Sequence, residues 1–264
     1  MRPLSQCPVG ALRAIRYLLT DIDDTLTDAG RLGAAAYGAI EALAQAGIAV
    51  LPVTGRPASW CDHIARMWPV AGVVGENGGF YFRYLHERRR MLERFRQNAA
   101  ERQENRAKLE ALKLRILEAV PGAGVASDQP YRRTDLAIDF AEDVARLDDA
   151  AIDRIVALFE GAGARAKVSS IHVNGWFGDF DKRSTSRLLL AEQFDIDSER
   201  ENTAVAYIGD SPNDEPMFEA FQMSVGVANV ADFLDRIEQP PAWVTEARGG
   251  AGFAELARAL CQAG

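Results

Sequence analysis

The feature that most constrains this chain is Asp21-Ile22-Asp23-Asp24-Thr25-Leu26-Thr27, an acidic cluster standing directly after the apolar run Tyr17-Leu18-Leu19. A short run of that kind reads as a strand buried in a parallel sheet, and the carboxyl ends of such strands are where open α/β sheets bind ligands. Residues two apart on an extended chain point the same way, so Asp21 and Asp23 can converge on one small volume while Asp24 turns elsewhere. At an effective dielectric near 20, two unit charges about 4 Å apart repel by roughly 4 kcal/mol. That is a large part of the ~5–15 kcal/mol that stabilises a domain. Such a pair takes up a proton or holds a cation. Hard oxygen donors with no His or Cys beside them point to Mg2+ rather than zinc. The competing reading is a set of helix-capping acids, because Asp is common between a strand and the helix that follows.

Similar apolar, β-rich runs recur at Ile48 to Val53, Gly72-Val73-Val74, Val205 to Ile208, Ser224 to Val227 and Trp243-Val244. Most are separated by segments of helical period, such as Ala34 to Ala46, closed by Gly47, and Ser59 to Met67. The alternation predicts an α/β chain with a doubly wound parallel sheet. It breaks between about Phe80 and Phe180. After a turn at Gly78-Gly79, a charged stretch from His86 to Val120 carries Leu109, Leu112, Ile116 and Val120 at three- and four-residue spacing and reads as one long helix. The Arg88-Arg89-Arg90 run, set among glutamates, reads as its solvated face. Strands near Gly124 to Ser127 and Leu136 to Phe140, a helix from Asp148 to Phe159, and strands at Arg165 to Ser169 and Ile171 to Phe177 complete a small α+β unit. The expected division is a core of residues 1–83 and 180–264 with a cap of residues 84–179 inserted in it.

Of the 264 residues, 26% are charged, and the net charge of −8 argues against broad binding to nucleic acid or anionic membranes. No apolar stretch approaches the roughly 20 residues of a membrane span, and Met1 to Gln6 lack the basic flank and apolar core of a signal peptide. The cytoplasm is the expected compartment and a small molecule the expected partner; oligomeric state leaves no trace in the sequence. Cys7, Cys61 and Cys261 are isolated, without the spacing of a disulfide framework or a thiolate metal site.

Further signals stand at strand ends. Val53-Thr54-Gly55-Arg56-Pro57 offers a hydroxyl, mobile backbone amides and a guanidinium, a set suited to phosphate oxygens. Glu76-Asn77-Gly78-Gly79 ends the third strand and is equally compatible with a plain turn. Lys182 falls where the chain re-enters the core ahead of Leu188-Leu189-Leu190. In Ile208-Gly209-Asp210-Ser211-Pro212-Asn213-Asp214 two acids four apart flank a turn, so one can bind a cation directly and the other through water; Asp214 can also cap the next helix.

The ordered set of strand-DxDxT, strand-TGR, NGG, inserted domain, Lys and strand-GDxxND resembles the haloacid dehalogenase superfamily with the large type IIB cap. That group includes Cof-like, sucrose-phosphate, trehalose-phosphate and mannosyl-phosphoglycerate phosphatases. The resemblance spans nearly the whole core and implies a Mg2+-dependent phosphatase of a small phosphorylated metabolite, most plausibly a sugar phosphate. It implies that Asp21 attacks phosphorus and that Asp23 protonates the leaving alcohol and then activates water. Thr54 and Lys182 would hold phosphoryl oxygens, with Gly55, Arg56, Asn77 and Gly78 also contacting substrate. Asp21, the Asp23 carbonyl, Asp210 and Asp214 would surround the metal, and Asn213 would support them.

Two departures stand out. Asp24 occupies a position that is usually Gly, and Gly175 to Phe180 lengthen the approach to Lys182. His172, Asn174 and Trp176 share one face of the last cap strand by its two-residue period, so His172 and Asn174 are expected at the leaving group, with Tyr131-Arg132-Arg133 free for a second anionic or hydroxyl-rich part. A packing role for His172 and Trp176 competes with that reading. A phosphosugar mutase, or more remotely a non-enzymatic phospho-accepting module, would use a similar set of acids, Thr and Lys.

Overall fold

The computed structural model describes residues 1–169 and 171–264. The chain begins with β1 (Arg2–Pro3), α1 (Val9–Ala14) and β2 (Tyr17–Thr20), then a small ribbon of β3 (Thr27–Asp28) and β4 (Arg31–Leu32). α2 (Ala34–Gln45), β5 (Ala49–Pro52), α3 (Ala58–Met67), β6 (Val73–Gly75), β7 (Phe80–Leu85) and β8 (Arg90–Phe95) follow. The inserted unit runs α4 (Ala99–Ala119), β9 (Gly124–Val125), β10 (Leu136–Asp139), α5 (Asp149–Gly161), β11 (Arg165–Val168) and β12 (His172–Trp176). The chain then returns through α6 (Lys182–Phe194), β13 (Val205–Gly209), α7 (Glu215–Ala220), β14 (Met223–Gly226), β15 (Trp243–Val244) and α8 (Gly249–Ala263).

Six parallel strands form the central sheet in the order β1-β15-β14-β13-β2-β5. Alternation along β2 sends Leu18 to one face and Leu19 to the other. Leu18 joins Val50, Ile208 and Val225 under Ile40 and Leu43 of α2 and Phe253, Leu256 and Leu260 of α8. Leu19 joins Leu51, Val205 and Tyr207 under Leu189 and Leu190 of α6 and Met217 and Phe218 of α7. Both faces are covered, which is why these strands are apolar throughout rather than alternating. The sheet is doubly wound, as the alternation of runs predicts.

The long helix expected from His86 to Val120 is shorter than that. Residues 86–95 form the turn and second strand of a hairpin, with β7 paired antiparallel to both β6 and β8. Met91 and Phe95 pack on one core cluster and Leu92 on the other, and the Phe95 ring sits 5.4 Å from Phe80. Arg89, in the middle of the arginine run, turns the chain with a φ of +48°. Burial against the core outweighs the helical preference of a charged segment. The helix starts at Ala99, where the Asn98 side chain accepts from Glu101 N and the Glu101 carboxylate accepts from Asn98 N.

The insert's sheet has the order β11-β12-β10-β9, antiparallel throughout. Leu109, Leu112, Ile116 and Val120 meet Ile152, Ile155 and Phe159 over one face of it. Val173 and Gly175 lie on that inner face, where a Cβ at Gly175 would come within 2.1 Å of the Phe159 ring. His172, Asn174 and Trp176 therefore point the other way, toward the core. The hairpin belongs with the core by its packing, so we place the start of the insert after it. A protein with residues 97–178 replaced by a short Gly-Ser linker should unfold cooperatively in urea, whereas excision of 84–179 should leave Phe80 and Phe82 uncovered and the product aggregated. Equal solubility of the two would count against this boundary.

Candidate active site

β2 ends at Thr20, and Asp21 continues the ladder by donating its N–H to Ile208 O at 2.9 Å. Its buried carboxylate meets Lys182, whose Nζ donates to Asp21 Oδ1 at 2.7 Å and to Asp214 Oδ1 at 3.0 Å. Lys182 is the first residue of α6, fixed there by Asp181, which accepts from Ser184 N. The turn beside it requires glycine. Gly78 has a φ of +102°, and a Cβ on it would lie 2.1 Å from Asp181 O. Asp214 is buried completely and accepts four bonds, from Lys182 and Tyr207 Oη on Oδ1 and from Asp210 N and Ser211 N on Oδ2. Asp210 is held more loosely, by Thr25 Oγ1 at 3.2 Å and Asn229 Nδ2 at 3.4 Å. One oxygen from each of Asp21, Asp210 and Asp214 falls within 4.8 Å of the others.

Burial pushes the Asp21 carboxyl up to about 8; Lys182 pulls it down while Asp214 and Asp23 push it further up. Burial, with the neighbouring Asp214 and Asp21, also holds Asp210 well above the ordinary carboxyl range. Burial works against the Lys182 ammonium, but Asp21 and Asp214 outweigh it and strengthen its hold on the proton. A cation fits this cluster. The oxygens are hard and the negative charge exceeds what one lysine neutralises, and the Asp210 carboxylate has long bonds and spare lone pairs.

Asp21 and Asp210, but not the buried Asp214 or Lys182, open on a cleft of about 580 Å³ between core and insert, lined by Asp23, Gly55, Arg56, Asn77 and Asn213 from the core and by Arg132, His172 and Asn174 from the insert. Arg56 donates from Nε and Nη2 to Asp23 at 2.9–3.1 Å and from Nη1 to Glu142 of the insert at 3.3 Å. Its guanidinium stacks over Trp60. Thr54 is buried behind the wall; its Oγ1 accepts from Arg56 N, and its own O–H has no acceptor among the described residues. Asn77 Nδ2 is buried without a partner among them. Gly78 is not part of the lining; its carbonyl accepts from Thr185. Asn213 Oδ1 accepts from Ser211. His172 Nε2 lies 2.9 Å from Glu142 Oε2, close enough to pair as ions but not aligned for a hydrogen bond. Burial and then Arg132 hold that imidazole below its usual pKa, against Glu142. Trp176 does not reach the cleft and instead donates to Phe180 O where the chain leaves the insert.

Of the Tyr131-Arg132-Arg133 segment, Tyr131 and Arg133 are exposed outside the cleft lining and Arg132 is already engaged. Arg132 is buried against Asp128 and Asp135 and donates to Gly55 O at 2.8 Å, so it braces the wall. Asn174 donates to the same Asp135. Asp24, at the position usually Gly, has a φ of +58° and accepts at its carbonyl from Asn229. The backbone needs a left-handed residue there, which Asp tolerates better than most. Glu76 and Asn229 escape sequence reasoning because each acts by accepting from or donating to a segment remote in the chain, and Tyr207 because a buried strand tyrosine reads as plain core. Only the strand end before Glu76 hinted at it.

No family model matches the chain. It is 29% identical over 249 residues to a phosphoglycolate phosphatase of Methanoculleus marisnigri, covering 92% of this chain and 96% of that protein. Among solved structures, a haloacid dehalogenase-like hydrolase from Bacteroides thetaiotaomicron superposes with a TM-score of 0.65 at 15% identity, covering 92% of this chain and 98% of the other. The sucrose-phosphatase of Synechocystis, solved with sucrose and phosphate, does so with a TM-score of 0.65 at 16% identity, covering 94% and 98%.

The raised Asp21 pKa has a definite sign. The folded state holds a proton that the unfolded chain releases from about pH 4 upward, so without a divalent ion the group's stabilising contribution is lost as pH rises toward 8. Metal-free Asp21→Asn should gain on the wild type in melting temperature between pH 5 and pH 8. A constant difference across that interval would mean Asp21 ionises normally.

Proposed function

On the haloacid dehalogenase fold that this chain adopts, we propose that the acids at the head of the sheet hydrolyse a small phosphomonoester with the help of Mg2+. The observation that carries the reading is Lys182, buried between Asp21 and Asp214 directly behind the Asp21 carboxylate that lines the cleft. Asp21 attacks phosphorus, forming an aspartyl-phosphate as the bond to the leaving oxygen breaks, and Asp23 supplies the proton to that oxygen. Water then attacks the same phosphorus, gives its proton to Asp23, and releases Asp21 and phosphate. Lys182, the free O–H of Thr54 and the unpartnered Asn77 Nδ2 would receive the phosphoryl oxygens, with backbone amides of the Gly55 turn beside them. Arg56 holds Asp23 in place on the cleft wall rather than reaching for phosphate. Asp21, Asp210 and the Asp23 carbonyl would hold Mg2+, with Asp214 acting through water because its own oxygens already accept four bonds. When bound, the ion neutralises charge on the transferring group.

The insert, starting after the hairpin, would select the leaving group through His172 and Asn174. Exposed Arg146 and Lys167 stand on the same wall. With Asp149 and Asp153 in the same lining, these two cations offer partners to an anionic part of a leaving group, such as the carboxylate of phosphoglycolate, the substrate that names the Methanoculleus relative, beside the sugar phosphates expected from the motifs. A Mg2+-supplemented panel of both classes should give phosphate release with the wild type and at least a thousandfold less with Asp21→Asn. Activity surviving in that variant would remove Asp21 as the nucleophile, and a requirement for a bisphosphorylated primer would indicate a mutase.

A further inference from the structure

Glu76 is buried completely in the core, yet its carboxylate is spent on the insert. Oε1 accepts from Ala58 N at 3.0 Å, the first residue of α3, and from Arg133 N at 2.9 Å. Oε2 accepts from Arg133 N at 3.0 Å and from Thr134 N and Thr134 Oγ1, each at 2.6 Å. The grip is returned from the other side, where Arg132 Nη1 donates to Gly55 O. Thr134 seats itself over Gly79, where a Cβ would lie 2.1 Å from its Oγ1. Glu76 and Asn77 both have left-handed backbone, with φ of +45° and +55°. Such conformations are strained and persist where the surroundings over-determine them.

The residues gripped are the ones that shape the phosphoryl pocket. Gly55 and Ala58 bracket the turn after β5, and Asn77 N donates to Thr54 O. We infer that Glu76 is a positioning residue whose capture of the 132–134 loop makes closure of the insert and assembly of the phosphoryl pocket a single event. With the insert lifted, the carboxylate loses three donors, Gly55 loses its brace, and the turn that presents Thr54 and Gly55 is held at one end only. Binding of a phosphoryl group then draws on the closed fraction alone, and apparent affinity falls in proportion to that fraction. Saturating substrate restores closure, so kcat is spared. The kinetic side of this inference rests on the phosphatase reading above; the structural side does not.

Full-length wild type, Thr134→Val, Thr134→Ser and Glu76→Gln would be compared by amide hydrogen exchange and by steady-state kinetics. A hydrogen bond to a charged group corresponds to about a tenfold or larger factor. Thr134→Val should raise KM about tenfold with kcat within about twofold, and Thr134→Ser should restore it. Amides 133 and 134 should exchange about tenfold faster in Thr134→Val, and faster again in Glu76→Gln if that variant folds. Inorganic phosphate should slow exchange at 133–134 and at 54–56 together in the wild type. Faster exchange at 133–134 with an unchanged KM, or a fall in kcat alone, would overturn the inference. Protection by phosphate confined to 54–56 would overturn it while leaving the phosphatase standing. Absence of turnover and of any phosphate effect would remove the phosphatase, and amide exchange in the two Thr134 variants would still decide whether Glu76 holds the loop.

Discussion

The Lys182 ammonium between Asp21 and Asp214 is the interaction on which the rest of this structure depends. Removing several ions from water costs several kcal/mol each, and a buried carboxylate deprived of its partner is strongly destabilising. The protein meets that cost with geometry. Asp21 comes from one strand, Asp210 and Asp214 from the turn after the neighbouring strand, and Lys182 from the first turn of the helix that follows the insert. Three separate parts of the chain must be in register before the charges balance. Even then the negative charge is in excess, and that excess makes the cluster a place for a cation.

Parallel pairing explains why the acids meet. β2 and β13 lie side by side, with Thr20 opposite Ile208, so both strands end at the same level and release their acidic turns into the same space. An antiparallel neighbour would have sent the second turn to the opposite edge. The insert lies across that edge and is tied to the core by polar groups, through Glu76, Arg132 and Arg56. Polar ties of this kind are exchangeable with water when the two parts separate, whereas a greasy seam would resist opening. On the proposed reading, an insert that admits and releases a phosphorylated molecule is better served by the former.

Much of this was legible along the chain. Five of the six strands of the central sheet fall where apolar runs stand, because residues covered on both faces must be apolar throughout; the exposed edge strand β1 stands at none, and the Gly72-Val73-Val74 run pairs with the hairpin instead. The α-β-β-α-β-β order of the insert follows from its periodicity. Asp21, Lys182, Asp210 and Asp214 do come together, and His172 and Asn174 do line the cleft. The misread stretch was 86–95, where arginines and glutamates suggested a solvated helix, but Met91, Leu92 and Phe95 had a place waiting on the core. The commitment of Arg132 is likewise invisible along the chain, since nothing local announces that Asp128, Asp135 and Gly55 O surround it.

The sequence by itself determined which residues can carry charge at a strand end, which runs must be buried, and where glycine or aspartate permits a left-handed backbone, because these are properties of a few neighbouring residues. Only the tertiary structure decided the partners of those charges. It gave Asp214 to Lys182, Asp23 to Arg56, and Glu76 to the insert, because a carboxylate takes whichever donors folding brings within about 3 Å, and those donors lie tens of residues away along the chain.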